Sequence, residues 1–134
     1  IDPSVVNLLD ATPFIPVIAP IGIGEDFKTY NINADIVAGK IAKILQAGKY
    51  VVLTNTTGIF DDNGNLLKSM NAEQVRQLVN KGIISSGMLP KVESALEAVS
   101  AGVQNVQIID GTIDHAILLE LFTDEGVGTM IRRT

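Results

Sequence analysis

The chain has 134 residues, of which 46% are hydrophobic, 19% charged and only 4% aromatic; this excludes disorder and sets the expectation of one domain, residues 1–134, with a core of Ile, Val, Leu and Ala. Ten Lys and Arg stand against fifteen Asp and Glu, a net charge of −5 with no basic run, so the electrostatic footprint of a nucleic-acid binder is missing. There is no Cys, and His115 is alone, which excludes a disulfide framework, a thiolate metal site and a histidine cluster.

The chain opens on Ile1 and runs straight into Asp2-Pro3-Ser4, without the basic and apolar regions of a signal peptide, as a piece of something longer would. Residues 1–11 read as a short helix capped by Asp2, with Pro3 at its first position and Val5, Val6, Leu8 and Leu9 turned inward. Phe14-Ile15-Pro16-Val17-Ile18-Ala19 is a continuous apolar run, the pattern of a strand buried on both faces, with Pro16 hinting at an edge or bulge. Gly22, Gly24 and the polar stretch 25–29 suit a hairpin returning towards Tyr30. Val37, Ile41, Ile44 and Leu45 recur at helical spacing, predicting a helix over 34–47 with Gly48 just past its end.

Tyr50–Thr54 reads as a second buried strand, and Ile59-Phe60, the Asp62-Asn63-Gly64 turn and Leu66-Leu67 as a β-hairpin. Asn71 and Gln74 form a capping box for a helix carrying Val75, Leu78 and Val79 and closed by Gly82. After a loop over 83–87, Pro90 opens a helix with Val92, Leu96 and Val99 inward and Gly102 as its stop. Residues 103–109 form a strand, Asp114 caps a last helix through Leu121, and residues 128–131 add a strand at the sheet edge. Strands alternating with amphipathic helices imply an α/β fold, a mainly parallel sheet covered on both faces as a three-layer α/β/α sandwich. Mean hydropathy is +0.31, yet every apolar stretch is far shorter than the ~20 residues of a spanning helix, so a soluble chain with no membrane partner is expected.

Several motifs dissolve on inspection. Gly22-x-Gly24 lacks the third glycine of a dinucleotide fingerprint, and Gly39-Lys40 and Gly48-Lys49 lack the rest of a P-loop. Asp61, Asn63 and Asn65 imitate a calcium loop, but Leu66 and Ala72 stand where Gly and Glu are needed. Two segments hold up better. In Tyr30-Asn31-Ile32-Asn33-Ala34-Asp35, three short polar side chains meet at a strand-to-helix junction where an N-cap needs only one. In Ser85-Ser86-Gly87-Met88-Leu89-Pro90-Lys91, a small loop opens a helix whose N-terminus favours an anion, and Lys91 in its first turn is at odds with the dipole unless an anion binds there; a phosphate site and a solvated loop both fit.

Phe14–Gly22, Tyr30–Asp35, Leu53-Thr54-Asn55 with Gly58, Gly87–Lys91, Ile108-Ile109-Asp110-Gly111 and Leu119–Gly126 together resemble the N-acetylglutamate kinases of the amino acid kinase fold, in order and across nearly the whole chain. The resemblance is to the C-terminal, nucleotide-binding half; the Lys-x-Gly-Gly strand and glycine-rich loops of the substrate-binding N-terminal half have no counterpart. Three departures are visible: Thr12-Pro13 for the usual loop, Phe27 for a typical glycine, and Ser86 for the first glycine of a common Ser-Gly-Gly-Met.

The resemblance implies ATP with Mg²⁺ carried on the nucleotide, no metal ligands in the chain, and a role in arginine biosynthesis by phosphorylation of the γ-carboxylate of N-acetyl-L-glutamate. It implies that Lys91 is the charge-stabilising lysine, that Asp35 orients the catalytic lysines, and that Asn31 with Asn33 meets the substrate. Thr54, Asn55, Gly58, Ile83, Gly87, Met88 and Lys91 would surround the nucleotide, with Met88 and Ile83 equally readable as core. Glu120 and Gly126 resemble part of an arginine-effector pocket. Cytoplasm, or an organelle stroma in a plant or alga, is the implied location. N-acetyl-L-glutamate would bind only with the N-terminal half, which would dock on this chain unless the exposed interface self-associates. The other reading is an isolated or engineered nucleotide-binding domain without turnover of its own.

Overall fold

A computed structural model describes residues 2–123 and 126–133. Its main sheet has four strands: β3 (Lys49–Thr54), β5 (Asn105–Asp110), β6 (Gly128–Arg132) and β4 (Ser69–Asn71), in that spatial order. β3 pairs parallel with β5 from Lys49↔Asn105 to Thr54↔Asp110, and β4 pairs parallel with β6. β6 runs antiparallel to β5. The fold is therefore α/β with a mainly parallel sheet, as expected. The last strand, however, lies inside the sheet rather than at its edge, because β4, three residues too short to show a period, pairs along its far side.

One sheet face carries Tyr50, Val52, Val106, Ile108, Ile131 and Met70, which pack with Ala42 of α2 (Ala34–Ile44), Val75 of α3 (Ala72–Asn80), and Val92, Ala95 and Val99 of α4 (Leu89–Ser100) in one core. The capping box forms as the sequence predicts: Asn71 Oδ1 accepts from the Gln74 amide and Gln74 Oε1 from the Asn71 amide, both at 2.9 Å. α2 and α4 approach closely at Gly39, where a Cβ would stand 2.9 Å from Ser94 Oγ. α5 (Ala116–Phe122) lies on the opposite side, where Glu120 and Leu121 share a cavity with Lys49, Gln107 and Met130 of the other sheet face.

Phe14–Ala19 is not a strand. Its backbone pairs with no other strand among the described residues, and Phe14, Ile15 and Val17 are 69%, 88% and 94% exposed. An apolar run becomes a strand only if a neighbour supplies the other half of the ladder, and none does so among the described residues. The hairpin that follows does form, from β1 (Ile21–Ile23) and β2 (Thr29–Asn31). The second expected hairpin shrinks to one bridge, Phe60↔Leu66, because Asp61 spends its carboxylate on the amides of Asn63 and Asn65 to hold a loop.

Three helix ends also differ from the sequence reading. In α1 (Ser4–Asp10), Asp2 Oδ1 does accept from the Ser4 amide at 2.9 Å, but Pro3 is the N-cap, and Val5 and Leu8 are exposed while Val6 and Leu9 are half-buried. α2 stops at Ile44 and the left-handed residue is Gln46, with φ +48°, not Gly48; the Gln46 amide side chain holds the turn by donating to the carbonyls of Lys43 and Ala101. α5 is capped by no side chain: His115, at φ +60°, is its N-cap, and Asp114 precedes it.

Two departures from the resemblance are explained by backbone conformation. Phe27 (φ +59°) and Ser86 (φ +48°) both sit in the left-handed region, where glycine alone escapes the Cβ clash. Phe27 is 91% exposed and has little packing to lose. Phe27→Gly is therefore expected to raise stability by about 1 kcal/mol in chemical denaturation, and no gain would mean that the turn is not strained.

Candidate functional site

The carboxyl ends of β3 and β5, where ligands collect in open α/β sheets, face the first turns of α2 and α4. Asn33 is the N-cap of α2, its Oδ1 accepting from the amides of Asp35 and Ile36, so of the three polar residues in the junction it is the one spent on the cap. Asp35 in the first turn of α2 and Lys91 in the first turn of α4 are 56 positions apart, and the close helix contact at Gly39 brings them together: Lys91 Nζ lies 3.0 Å and 3.3 Å from the two carboxylate oxygens. Both side chains are only about one-fifth exposed, at 20% and 19%. The pair explains how a lysine is tolerated at a helix N-terminus, since Asp35 offsets the repulsion. Asn31 ends β2 on an exposed surface four residues before Asp35.

Behind the pair, Tyr50 reaches across from β3. Its hydroxyl is 2.9 Å from Ser94 Oγ and donates to the Asp35 carbonyl at 3.4 Å, bracing the start of α2 against α4. Burial pushes the Tyr50 hydroxyl above its ordinary pKa of 10.0, the bond with Ser94 pulling partly back and the Asp35 charge adding to the rise. The folded chain thus favours neutral Tyr50: the stability it contributes is full below pH ~10 and is lost as pH rises towards the folded pKa, because the unfolded chain ionises first. Denaturation at pH 9 and pH 11 should show this loss, and Tyr50→Phe should shrink it; an unchanged slope would remove Tyr50 as its source.

One cavity adjoins the ion pair through Lys91, and a second lies beside the first. One, of 550 Å³, is lined by Leu53, Thr54, Asn55, Thr56, Gly87, Met88 and Lys91; the other, of 250 Å³, by Thr56, Gly58, Ile59, Phe60, Asp61, Ile83, Ile84, Ser85 and Met88. Thr56 and Met88 belong to both, so the cavities are neighbours. The residues named from the resemblance for a nucleotide, Thr54, Asn55, Gly58, Ile83, Gly87, Met88 and Lys91, are all in their walls. Met88 and Ile83 are half-buried wall residues, Met88 also packing on the core. A Cβ on Gly87 would meet nothing within 4 Å, leaving its backbone open to a ligand. The sequence reading missed Thr56 and Phe60; Thr56 was within sight, one residue past Leu53-Thr54-Asn55.

A separate cavity of 470 Å³ opens on the far sheet face, lined in part by Lys49, Lys68, Gln107, Glu120, Gly126 and Met130. Here Glu120 Oε2 accepts from the Val127 amide at 2.9 Å, and Gly126 turns at φ +60° beside it. Gln107 is buried, and its Oε1 has no hydrogen-bond partner among the described residues. A third cavity, of 380 Å³, lies between α1 and α2 and is almost wholly apolar, lined by Val6, Ile18, Ile32, Val37, Ile41 and others.

Residues 2–110 match the Amino acid kinase family. The chain is 58% identical over 132 residues to the acetylglutamate kinase of Nitrosomonas eutropha, which covers 98% of this chain and 45% of the relative, and 59% identical over 133 residues to that of Alkalilimnicola ehrlichii, covering 99% and 44%. It thus spans a little under half the length of the curated relatives it matches. Among solved structures it resembles N-acetylglutamate synthase from Neisseria gonorrhoeae complexed with coenzyme A and L-arginine, at a TM-score of 0.91 and 32% identity over 98% of this chain and 30% of that one.

Proposed function

Because the chain belongs to the amino acid kinase family, we propose that it is the ATP-holding C-terminal part of an acetylglutamate kinase of arginine biosynthesis. The observation that carries this reading is the pair of neighbouring cavities that gathers Thr54, Asn55, Gly58, Ile83, Gly87, Met88 and Lys91, the larger of them reaching the Asp35–Lys91 ion pair. The two cavities suit a nucleotide because they differ in kind. The smaller one sets Ile59, Phe60, Ile83 and Ile84 beside the polar Thr56, Asp61 and Ser85, a mixed wall fit for a base and its sugar, while the larger one meets a lysine, an open glycine backbone and a helix N-terminus, fit for phosphates.

The γ-carboxylate oxygen of N-acetyl-L-glutamate attacks the terminal phosphorus of ATP, the bond to the β-phosphate oxygen breaks, and an acyl phosphate and ADP leave. Such a transfer needs positioning and neutralisation of the charge on the moving phosphoryl group more than it needs a strong base. Lys91 supplies that charge, and Asp35 is a positioning residue that keeps its ammonium at the cavity wall. Asn31 reaches the amino-acid end of the acceptor; Asn33 has only its amide NH2 left to offer, its oxygen being taken by the cap. In this reading Mg²⁺ is carried on the triphosphate, where it would offset the phosphate charge. The acceptor is held mainly by the N-terminal half of the longer protein, for which the exposed run 14–18 is the docking surface, with self-association as the competing use of that run. No helix among the described residues is long and apolar enough to cross a membrane, in keeping with an enzyme of the cytoplasm or an organelle stroma.

The far-face cavity is the arginine-effector pocket in this reading. The unpartnered Gln107 oxygen and the Glu120 carboxylate are acceptors for a guanidinium, and a similar solved protein carries L-arginine in its complex. Calorimetric titration of the chain with a non-hydrolysable ATP analogue tests the main reading; no heat of binding would overturn it. Titration with L-arginine tests the second, with Glu120→Gln expected to weaken uptake and an unaltered isotherm removing Glu120 from the pocket.

A further inference from the structure

We propose that Thr129 is a positioning residue of the nucleotide site, its buried hydroxyl holding the 55–60 loop in place through the Ile59 amide. The proposal rests on the reading of the two cavities as the ATP site. Thr129 is the second residue of β6 and is fully buried, yet its sheet-face neighbours Val52, Val106, Ile108 and Ile131 are all apolar. A hydroxyl there costs stability unless it is bonded, and a valine would fill the same volume without that cost. Its recorded bond goes to no strand beside it: Thr129 Oγ1 accepts from the Ile59 amide, 70 positions away, at 2.8 Å.

That bond is one half of a clamp. The Ile59 carbonyl accepts from the Leu67 amide at 2.8 Å, so both backbone groups of Ile59 are tied down and its side chain is buried. The neighbouring Gly58 is pressed against the same threonine: a Cβ there would stand 2.5 Å from Thr129 Oγ1 and 3.1 Å from the Thr129 amide. Gly58, Ile59 and Phe60 then form one wall of the smaller cavity, which Thr129 itself does not line. The threonine therefore acts on a ligand only through the loop, and only at the end of the site remote from Lys91.

This asymmetry makes the proposal testable. The wild-type chain, Thr129→Val, Thr129→Ser and Gly58→Ala are titrated by calorimetry with a non-hydrolysable ATP analogue and with inorganic tripolyphosphate, and Ile59 amide exchange is followed by NMR. Thr129→Val is expected to speed exchange at Ile59 and raise the dissociation constant of the ATP analogue about tenfold, as a loop that leaves its binding position nine-tenths of the time would. Tripolyphosphate, which engages the Lys91 end, is expected to bind Thr129→Val as it binds wild type. Thr129→Ser, which keeps the oxygen, should stay within about twofold of wild type for both ligands. Gly58→Ala, which drives a methyl group into the hydroxyl, should reproduce the split and serves if Thr129→Val fails to fold. Equal binding of the analogue by Thr129→Val and wild type overturns the positioning role alone, as does an equal loss of both ligands, which is the mark of general destabilisation. A wild-type chain that binds neither ligand overturns the nucleotide reading and this proposal with it.

Discussion

Lys91→Ala in the longer kinase is expected to lower turnover by about 10²- to 10³-fold, the loss that follows removal of one preorganised group facing charge that grows in the transition state, worth ~2.7–4 kcal/mol. Two costs combine. The transferring phosphoryl oxygens lose their nearest cation, and Asp35, four-fifths buried and otherwise paired with Lys91, is left with its charge turned towards the phosphates. Lys91→Arg should recover only part of the rate, because a planar guanidinium cannot occupy the position of an ammonium held 3.0 Å from a carboxylate without moving one of them. Asp35→Asn gives the contrast: ATP-analogue affinity nearly intact, turnover lost. Steady-state assays of the three variants check the set, and a Lys91→Ala enzyme with near wild-type turnover would remove Lys91 from the chemistry.

The chain by itself is expected to phosphorylate no N-acetyl-L-glutamate above background, and a separately produced N-terminal half added to it is expected to restore activity. Holding the acceptor oxygen in line with the γ-phosphate can be worth ~7–11 kcal/mol, and a chain that lacks the acceptor-binding half forgoes it. The proposed docking surface is the exposed run 14–18, whose apolar side chains stand in solvent and whose backbone pairs with no strand among the described residues. Placing lysines at Ile15 and Val17 should abolish restoration while leaving the stability of the chain unchanged, since both side chains already stand in solvent. Restoration by the double-lysine chain at the wild-type level would locate the docking surface elsewhere. Loss of a dimer by the same variant in sedimentation would show that the run serves self-association instead.

That same run marks where sequence reading stops. β3, the capping box at Asn71 and the Pro90 helix were legible because each is decided within about ten residues, by apolar pattern or by a side chain reaching its own backbone. Phe14–Ala19 has the same apolar pattern as β3, but strand formation needs a partner ladder, a property of the surroundings and not of the segment. The interior place of β6 was illegible for a similar reason, since periodicity carries no information on strand order. Gln46 took the turn expected at Gly48 through a contact that spacing does not reveal, its bond to the Ala101 carbonyl, and the cap expected at Asp114 fell to His115 one residue on. At the candidate site, the chemistry of the Ser85–Lys91 loop suited either a phosphate or solvent, whereas the pairing of Lys91 with Asp35 across 56 positions was reachable only through family resemblance. Thr129 and Gln107 carry no sequence signal at all: each reads as an ordinary strand residue until its neighbours are known.

β6 borders both ligand regions at once. Gly128 and Met130 line the Glu120 cavity on one side, and Thr129 between them bonds the nucleotide loop on the other. Two molecules that each press on opposite sides of one five-residue strand are thermodynamically conjugate. If an occupant of the Glu120 cavity changes the affinity for nucleotide by some factor, nucleotide must change the affinity for that occupant by the same factor, whatever path the strand takes between its positions. A change of Thr129 that altered one of these affinities through its partner site would have to alter the other by the same factor.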